Sequence, residues 1–206
     1  GMPTGKSWKE LLPIWRQRAK EIPKAIPPVE VQKGPILENV VSKADVDLSI
    51  FPSPKWHELD GGRYIGTGTV DVIKDPDSPW VNLGCYRAAV ADKKRVTLYI
   101  SPGKHGRILR DKYFAKGKPM PVVLVFGQDP AVFMAASLEV PWGTSEYDYA
   151  GALKGEAIPV IRGRATGLPI PATAEIAVEG FIKPDQTAPE GPFGEWTGYY
   201  ASSQRE

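Results

Sequence analysis

Cysteine, histidine and an excess of charge of either sign are what this 206-residue chain has least of. Its one cysteine, Cys85, excludes an intramolecular disulfide framework and suits a reducing compartment, so a cytoplasmic location is expected. Two histidines, His57 and His105, cannot supply a structural zinc site built on Cys and His. A balance of 26 basic against 24 acidic residues gives a net charge of +2, which makes no case for nucleic acid. The Lys93-Lys94-Arg95 run reads as a solvated turn. No apolar stretch approaches the roughly 20 residues of a membrane span, so none is expected. The segment from Lys6 to Lys24 is too charged for a signal peptide. There is no Ser-His-Asp signature, no internal repeat and no Gly-rich phosphate loop. Nothing in the pattern pairs Cys85 with a histidine base.

What the chain does have is 21 Gly and 21 Pro among short runs rich in Val, Ile and Tyr. That texture predicts strands joined by specified turns. Helices are predicted over Ser7–Ile22, Gly106–Lys116, Pro130–Leu138 and Ser145–Lys154. Ser7 is placed to cap the first, although Pro13 inside it offers a later start, and Gly155 is placed to close the last. Strands are predicted at Val29–Val31, Val46–Phe51, Tyr64–Ile73, Val81–Val90, Val96–Ile100, Pro121–Phe126, Ile158–Arg162, Ala174–Ile182 and Tyr199–Ser202. With no βαβα alternation, the expected class is α+β, mainly β, built round a barrel or a strongly curved sheet with inserted helices.

Several residues could carry chemistry, and each has an ordinary structural reading beside it. His105 sits where a strand meets a helix and could cap or bind a metal. Asn82 could bond a turn or offer a neutral oxygen ligand. Glu146 opens a helix, where the macrodipole favours a carboxylate with no function. Together the three would suit a hard cation such as Mn²⁺ or Mg²⁺, but they lie far apart in sequence. Arg87 lies in the mostly apolar run Leu83–Val90, where a guanidinium needs a partner; it is a candidate for holding a carboxylate. Asn82 and Arg87 would face opposite sides of one unbroken strand, unless Gly84 places a bulge.

The segment Thr187–Tyr200 packs Pro, Gly, aromatics and the carboxylates of Glu190 and Glu195 into one shaped stretch. Its Pro189-Glu-Gly-Pro-Phe-Gly-Glu195 core resembles that of the UbiD-like decarboxylases. So do Gly62–Gly68, Trp80–Arg87, Ser101–His105, Ser145–Gly151 and Pro171–Gly180, in order and at similar spacing. The resemblance implies a split β-barrel of the FMN-binding type over residues 61–206, behind an N-terminal helix and Pro-rich connector over 1–60. It implies prenylated FMN made by a flavin prenyltransferase, with Mn²⁺ (or Mg²⁺) and K⁺ at the phosphate. By matched position, Asn82, His105 and Glu146 would hold the metal. Thr67 and Arg87 would line the cofactor, and Ser137 and Leu138 would run beside it near the K⁺ site. Lys104 stands where related enzymes often carry Gln.

The implied reaction is reversible, non-oxidative decarboxylation of an aromatic or α,β-unsaturated carboxylic acid through an adduct with the prenylated flavin. Arg87 would hold the carboxylate and a glutamate would supply the proton. Glu190 and Glu195 invite reading as an acid pair. The resemblance instead implies that Arg87's partner glutamates lie beyond Glu206, in the remaining domains or subunit, leaving the isolated chain inactive. Two alternatives stand beside this: an ordinary FMN-binding split-barrel oxidoreductase, and a non-catalytic assembly or carrier subunit.

Overall fold

The computed structural model describes residues 5–21, 25–201 and 204–205. The first helix, α1 (Trp8–Glu21), starts ahead of Pro13 and runs through it. The Glu10 carboxylate accepts from both the backbone N–H (2.9 Å) and the hydroxyl (2.7 Å) of Ser7, which fixes that start. Ile22, at the end of the predicted helix, lies outside the described residues. The strand β1 (Val29–Glu30) follows and lies parallel to β8 (Pro159–Arg162), which in turn pairs with β9 (Pro169–Pro171).

Val46–Phe51 is not a strand. Asp47 accepts from the backbone N–H of Ser49 at 3.0 Å and winds Leu48–Ile50 into a 3₁₀ turn. A short polar side chain that bonds the backbone two residues on competes with sheet pairing.

The two long predicted strands each divide. Tyr64–Ile73 becomes β2 (Tyr64–Gly66) and β3 (Val70–Lys74), and Val81–Val90 becomes β4 (Val81–Gly84) and β5 (Arg87–Val90). At each break the chain changes sheet. β3 and β4 belong to a four-stranded antiparallel sheet ordered β10-β7-β3-β4, with β7 spanning Met120–Phe126 and β10 Ile176–Ile182. β2 and β5 join β6 (Val96–Tyr99) in a separate three-stranded sheet ordered β2-β5-β6. The two breaks are tied together, since the Thr69 hydroxyl donates to the Tyr86 carbonyl at 2.8 Å.

The larger sheet is apolar on both faces, which is why β7 reads as an unbroken hydrophobic run. On one face Val70, Val72, Val123 and Val125 pack with residues of the helices α3 (Pro130–Ala136) and α4 (Glu146–Lys154). On the other, Ile73, Met120, Val122 and Leu124 pack with Leu98 and with Leu109 of α2 (His105–Ala115). Asp129 caps α3 and Ser145 caps α4 through their side chains, and Gly155 closes α4 at φ 84°. Two short ladders end the chain: β11 (Pro189–Glu190) with β14 (Gln204–Arg205), and β12 (Phe193–Gly194) with β13 (Tyr200–Ala201).

The fold is mixed α+β and mostly strand, as expected. Among the described residues the strands form several small sheets and no closed barrel. No described helix is long and apolar enough to cross a membrane.

Candidate active site

A cleft of about 610 Å³ opens where the four-stranded sheet and the β2-β5-β6 sheet meet the starts of α2 and α4 and the end of α3. Thr67, Asn82, Arg87, His105, Ser137, Leu138 and Glu146 all line it. The break at Cys85–Tyr86 makes this possible: Asn82 lies on β4 in one sheet and Arg87 on β5 in the other, yet both meet the same cavity.

On the floor, Asn82 and Glu146 are both buried. Asn82 Nδ2 donates to Glu146 Oε1 at 2.8 Å and to the Leu83 carbonyl at 3.2 Å, and the Leu83 N–H donates to Glu146 Oε2 at 2.7 Å. Burial pushes the Glu146 carboxyl up to about 7, against the pull of these donors. Asn82 Oδ1 is buried and accepts no hydrogen bond. A buried oxygen with vacant lone pairs is costly alone and is a natural ligand for a hard cation. His105 opens α2 with its ring held edge-on by Trp80, at 5.4 Å, and Trp142, at 5.2 Å. Among the described residues no three His, Cys, Asp or Glu side chains converge as a metal cluster; the candidate set includes an amide oxygen instead. Its chemistry, one amide oxygen, one carboxylate and one imidazole, fits Mn²⁺ or Mg²⁺.

The wall opposite is built on Arg87. Its guanidinium lies over the ring of Tyr99, its cross-strand neighbour, at 4.4 Å, and over Phe193 at 5.0 Å. Nε and Nη2 donate to the two carboxylate oxygens of Glu190, at 2.8 and 2.7 Å. The Tyr64 hydroxyl also donates to Glu190 Oε1, at 3.0 Å. Nη1 is directed toward Glu195, at 3.7 Å. Arg87's glutamate partners, assigned by the sequence reading to chain beyond Glu206, are therefore Glu190 and Glu195. The Glu190 side chain is fully buried, while Glu195 is 43% exposed and lines the cleft. One is a structural anchor and the other is open to a ligand.

The segment carrying these glutamates is clipped in place. Gly61 N–H donates to the Pro192 carbonyl, and Gly194 N–H donates to Asp60 Oδ1, both at 2.7 Å. Reading the sequence alone missed the roles of Glu190, Glu195, Tyr64 and Phe193. The available signal was two carboxylates in a shaped segment and one half-buried guanidinium elsewhere needing a counterion. Lys104 also lines the cleft, paired with Glu139. Cys85 lies 3.4 Å from the Ser137 hydroxyl, and burial raises its thiol pKa, which disfavours a reactive thiolate.

Residues 28–206 match the model of the UbiD family, described as a 3-octaprenyl-4-hydroxybenzoate carboxy-lyase Rift-related domain. The chain belongs to the UbiD family. Among UbiD relatives, the pyrrole-2-carboxylic acid decarboxylase of Pseudomonas aeruginosa is 38% identical over 199 residues, covering 97% of this chain and 40% of that protein. Ferulic acid decarboxylase 1 of Saccharomyces cerevisiae is 37% identical over 183 residues, covering 87% and 36%. The chain thus spans well under half the length of these relatives. In three dimensions it resembles the vanillic acid decarboxylase of Sedimentibacter hydroxybenzoicus in closed form, at TM-score 0.89 and 32% identity, over 98% of this chain and 44% of that one. It also resembles the UbiD-class enzyme HmfF of Pelotomaculum thermopropionicum in complex with prFMN, at TM-score 0.85 and 29% identity, over 92% and 44%.

Proposed function

We propose that this chain is the prenylated-FMN-binding core of a UbiD-class carboxy-lyase that removes CO₂ from an aromatic or α,β-unsaturated carboxylic acid. The observation that carries the reading is the Glu190–Arg87–Glu195 array, whose Arg87 and Glu195 line the same cleft as Asn82, His105 and Glu146. The sheets on either side of that cleft would be the halves of a split barrel of the FMN-binding type, with residues 1–60 as its N-terminal attachment.

Asn82, His105 and Glu146 would hold Mn²⁺ or Mg²⁺ at the cofactor phosphate. Thr67, Ser137 and Leu138 would run along the flavin, with K⁺ beside the latter two. A flavin prenyltransferase would supply the cofactor, in a cytoplasmic setting. When bound, the prenylated flavin supplies an electron sink for the pair left as CO₂ departs.

The chain's own residues do the rest. Glu190 occupies Nε and Nη2 of Arg87 and fixes the plane of the guanidinium. Nη1 then faces the cleft, where it can orient the substrate carboxylate. Tyr99 and Phe193 flank the guanidinium and favour a flat, conjugated acid beside it. Glu195 is placed to return a proton to the carbon that loses CO₂. With Glu195 as the proton donor, the chain would hold the acid that the expectation of an inactive isolated chain places beyond Glu206.

The test is flavin retention after gel filtration, with and without Mn²⁺. Mn²⁺-dependent retention of prenylated FMN is expected, and His105→Ala or Glu146→Gln should weaken it by about tenfold or more. Retention indifferent to metal, with reduction by a nicotinamide cofactor, would point to an ordinary FMN reductase instead.

A further inference from the structure

Asn82 and Arg87 are five positions apart in the sequence, a spacing that on one continuous strand would send them to opposite faces. What makes them share a cleft is the two-residue break at Cys85–Tyr86, and that break is held at Tyr86 from three directions. Its backbone N–H donates to Asp71 Oδ2 at 2.9 Å. Its carbonyl accepts from the Thr69 hydroxyl at 2.8 Å. Its own hydroxyl accepts the Gly106 N–H at 3.1 Å, in the first turn of α2 and one residue past His105.

The surroundings make this a specified joint. Asp71 and Thr69 are both wholly buried, and both belong to the chain around β3 rather than to the site. A buried carboxylate is an expensive way to satisfy one backbone N–H. The Tyr86 ring lies across two glycines: a methyl group at Gly84 would overlap it, and one at Gly106 would come within 2.6 Å of its hydroxyl oxygen. Gly84 ends the strand that carries Asn82, Arg87 follows Tyr86 directly, and Gly106 follows His105. One side chain therefore touches the backbone beside Asn82, Arg87 and His105, while Glu146, on α4, is tied to the same strand as Asn82 through Asn82 Nδ2 and the Leu83 N–H.

We infer that Tyr86, pinned through its backbone by Asp71 and Thr69, is the positioning residue that sets Asn82, Arg87 and His105 relative to one another. It does so without itself binding metal or substrate. The inference rests on the proposed assignment of Asn82 and His105 to the metal and Arg87 to the carboxylate. It predicts that loss of either anchor disperses the ligands and leaves the fold in place.

The experiment is Mn²⁺ titration followed by electron paramagnetic resonance, with FMN present, on the chain and on Tyr86→Phe, Asp71→Ala and Asp71→Asn. Tyr86→Phe keeps the ring between the glycines but removes the acceptor for Gly106. It should weaken Mn²⁺ binding by about tenfold or more, in the range seen when groups that orient metal ligands are removed. Asp71→Ala should do the same, whereas Asp71→Asn, which keeps an oxygen acceptor for the Tyr86 N–H, should restore binding to within about twofold of wild type. A purely structural role would lower the unfolding midpoint and leave Mn²⁺ affinity alone. If Asp71→Ala does not fold, Tyr86→Phe and Asp71→Asn still decide the matter. Wild-type affinity in Tyr86→Phe overturns the inference while leaving the functional assignment standing. Failure of the wild-type chain to bind Mn²⁺ with FMN overturns both.

Discussion

Arg87 and Glu190 are joined by two parallel hydrogen bonds across 103 positions of sequence, Nε to Oε1 at 2.8 Å and Nη2 to Oε2 at 2.7 Å. The Glu190 side chain is wholly buried and that of Arg87 is 11% exposed, so little of either charge meets water. Removing one member of such a pair leaves the other stranded, at a cost of about 3–5 kcal/mol. Glu190→Ala should lower the free energy of unfolding by about that much. Tyr64→Phe, which deletes the third donor to the same carboxylate, should cost about 1.5–3 kcal/mol. Denaturant unfolding of both variants checks this, and an unchanged midpoint in Glu190→Ala would show that the pair is not formed.

Glu195 has the opposite character. It is 43% exposed and touches Arg87 only at 3.7 Å. Glu195→Gln should leave unfolding and flavin binding close to wild type and reduce CO₂ release by about a hundredfold or more. Equal turnover by the variant would remove Glu195 from the proposed proton transfer.

Asp71 gives the folded protein a distinctive pH response. Burial raises its carboxyl well above the usual range, against the pull of the Tyr86 N–H, and the Cys85 thiol is nearby. A carboxyl whose folded pKa is raised binds its proton more tightly when folded. Its contribution is therefore present below the unfolded value of about 3.9 and is lost as pH rises toward the folded value. Asp71→Asn has no such slope. Relative to wild type it should gain stability steadily above about pH 4, the difference closing at lower pH. Unfolding curves at pH 4, 6 and 8 measure it, and a constant difference would contradict the burial argument.

Gly61 lies directly against the glutamate-bearing segment. A methyl group there would overlap the Gly191 carbonyl, which is backbone and cannot swing aside. Gly61→Ala should cost about 1–3 kcal/mol. It should also displace Glu190 and Glu195 together, so that stability and turnover fall in one variant. Full activity with normal stability would show that the clip at Asp60–Gly61 is not needed.

The sequence was a good guide wherever one element decides the outcome. Asp129 and Ser145 cap their helices, Gly155 ends one, and the apolar run of β7 is buried on both faces. It was a poor guide where two distant segments decide. Alternation within Val81–Val90 looks the same whether the run stays in one sheet or crosses to another, because the partners β3 and β6 are chosen elsewhere. Val46–Phe51 has strand composition, but Asp47 competes locally for the backbone. The grouping of Asn82, His105 and Glu146 came from family resemblance, since no spacing rule links them. Glu190 and Glu195 are not legible as Arg87's partners, because a segment of Pro and Gly has no period to show which way its carboxylates point. Their partner is identified only once Arg87 is seen to need one.

The sheet change at Cys85–Tyr86 also bears on how this family can vary. Between Asn82 and Arg87 the identity of several side chains can drift, but the number of residues cannot. Removing one would turn Arg87 to the far side of its sheet or slide β5 by one register against both of its neighbours. In this stretch insertions and deletions should be purged far more strictly than substitutions, so the constrained quantity here is a length.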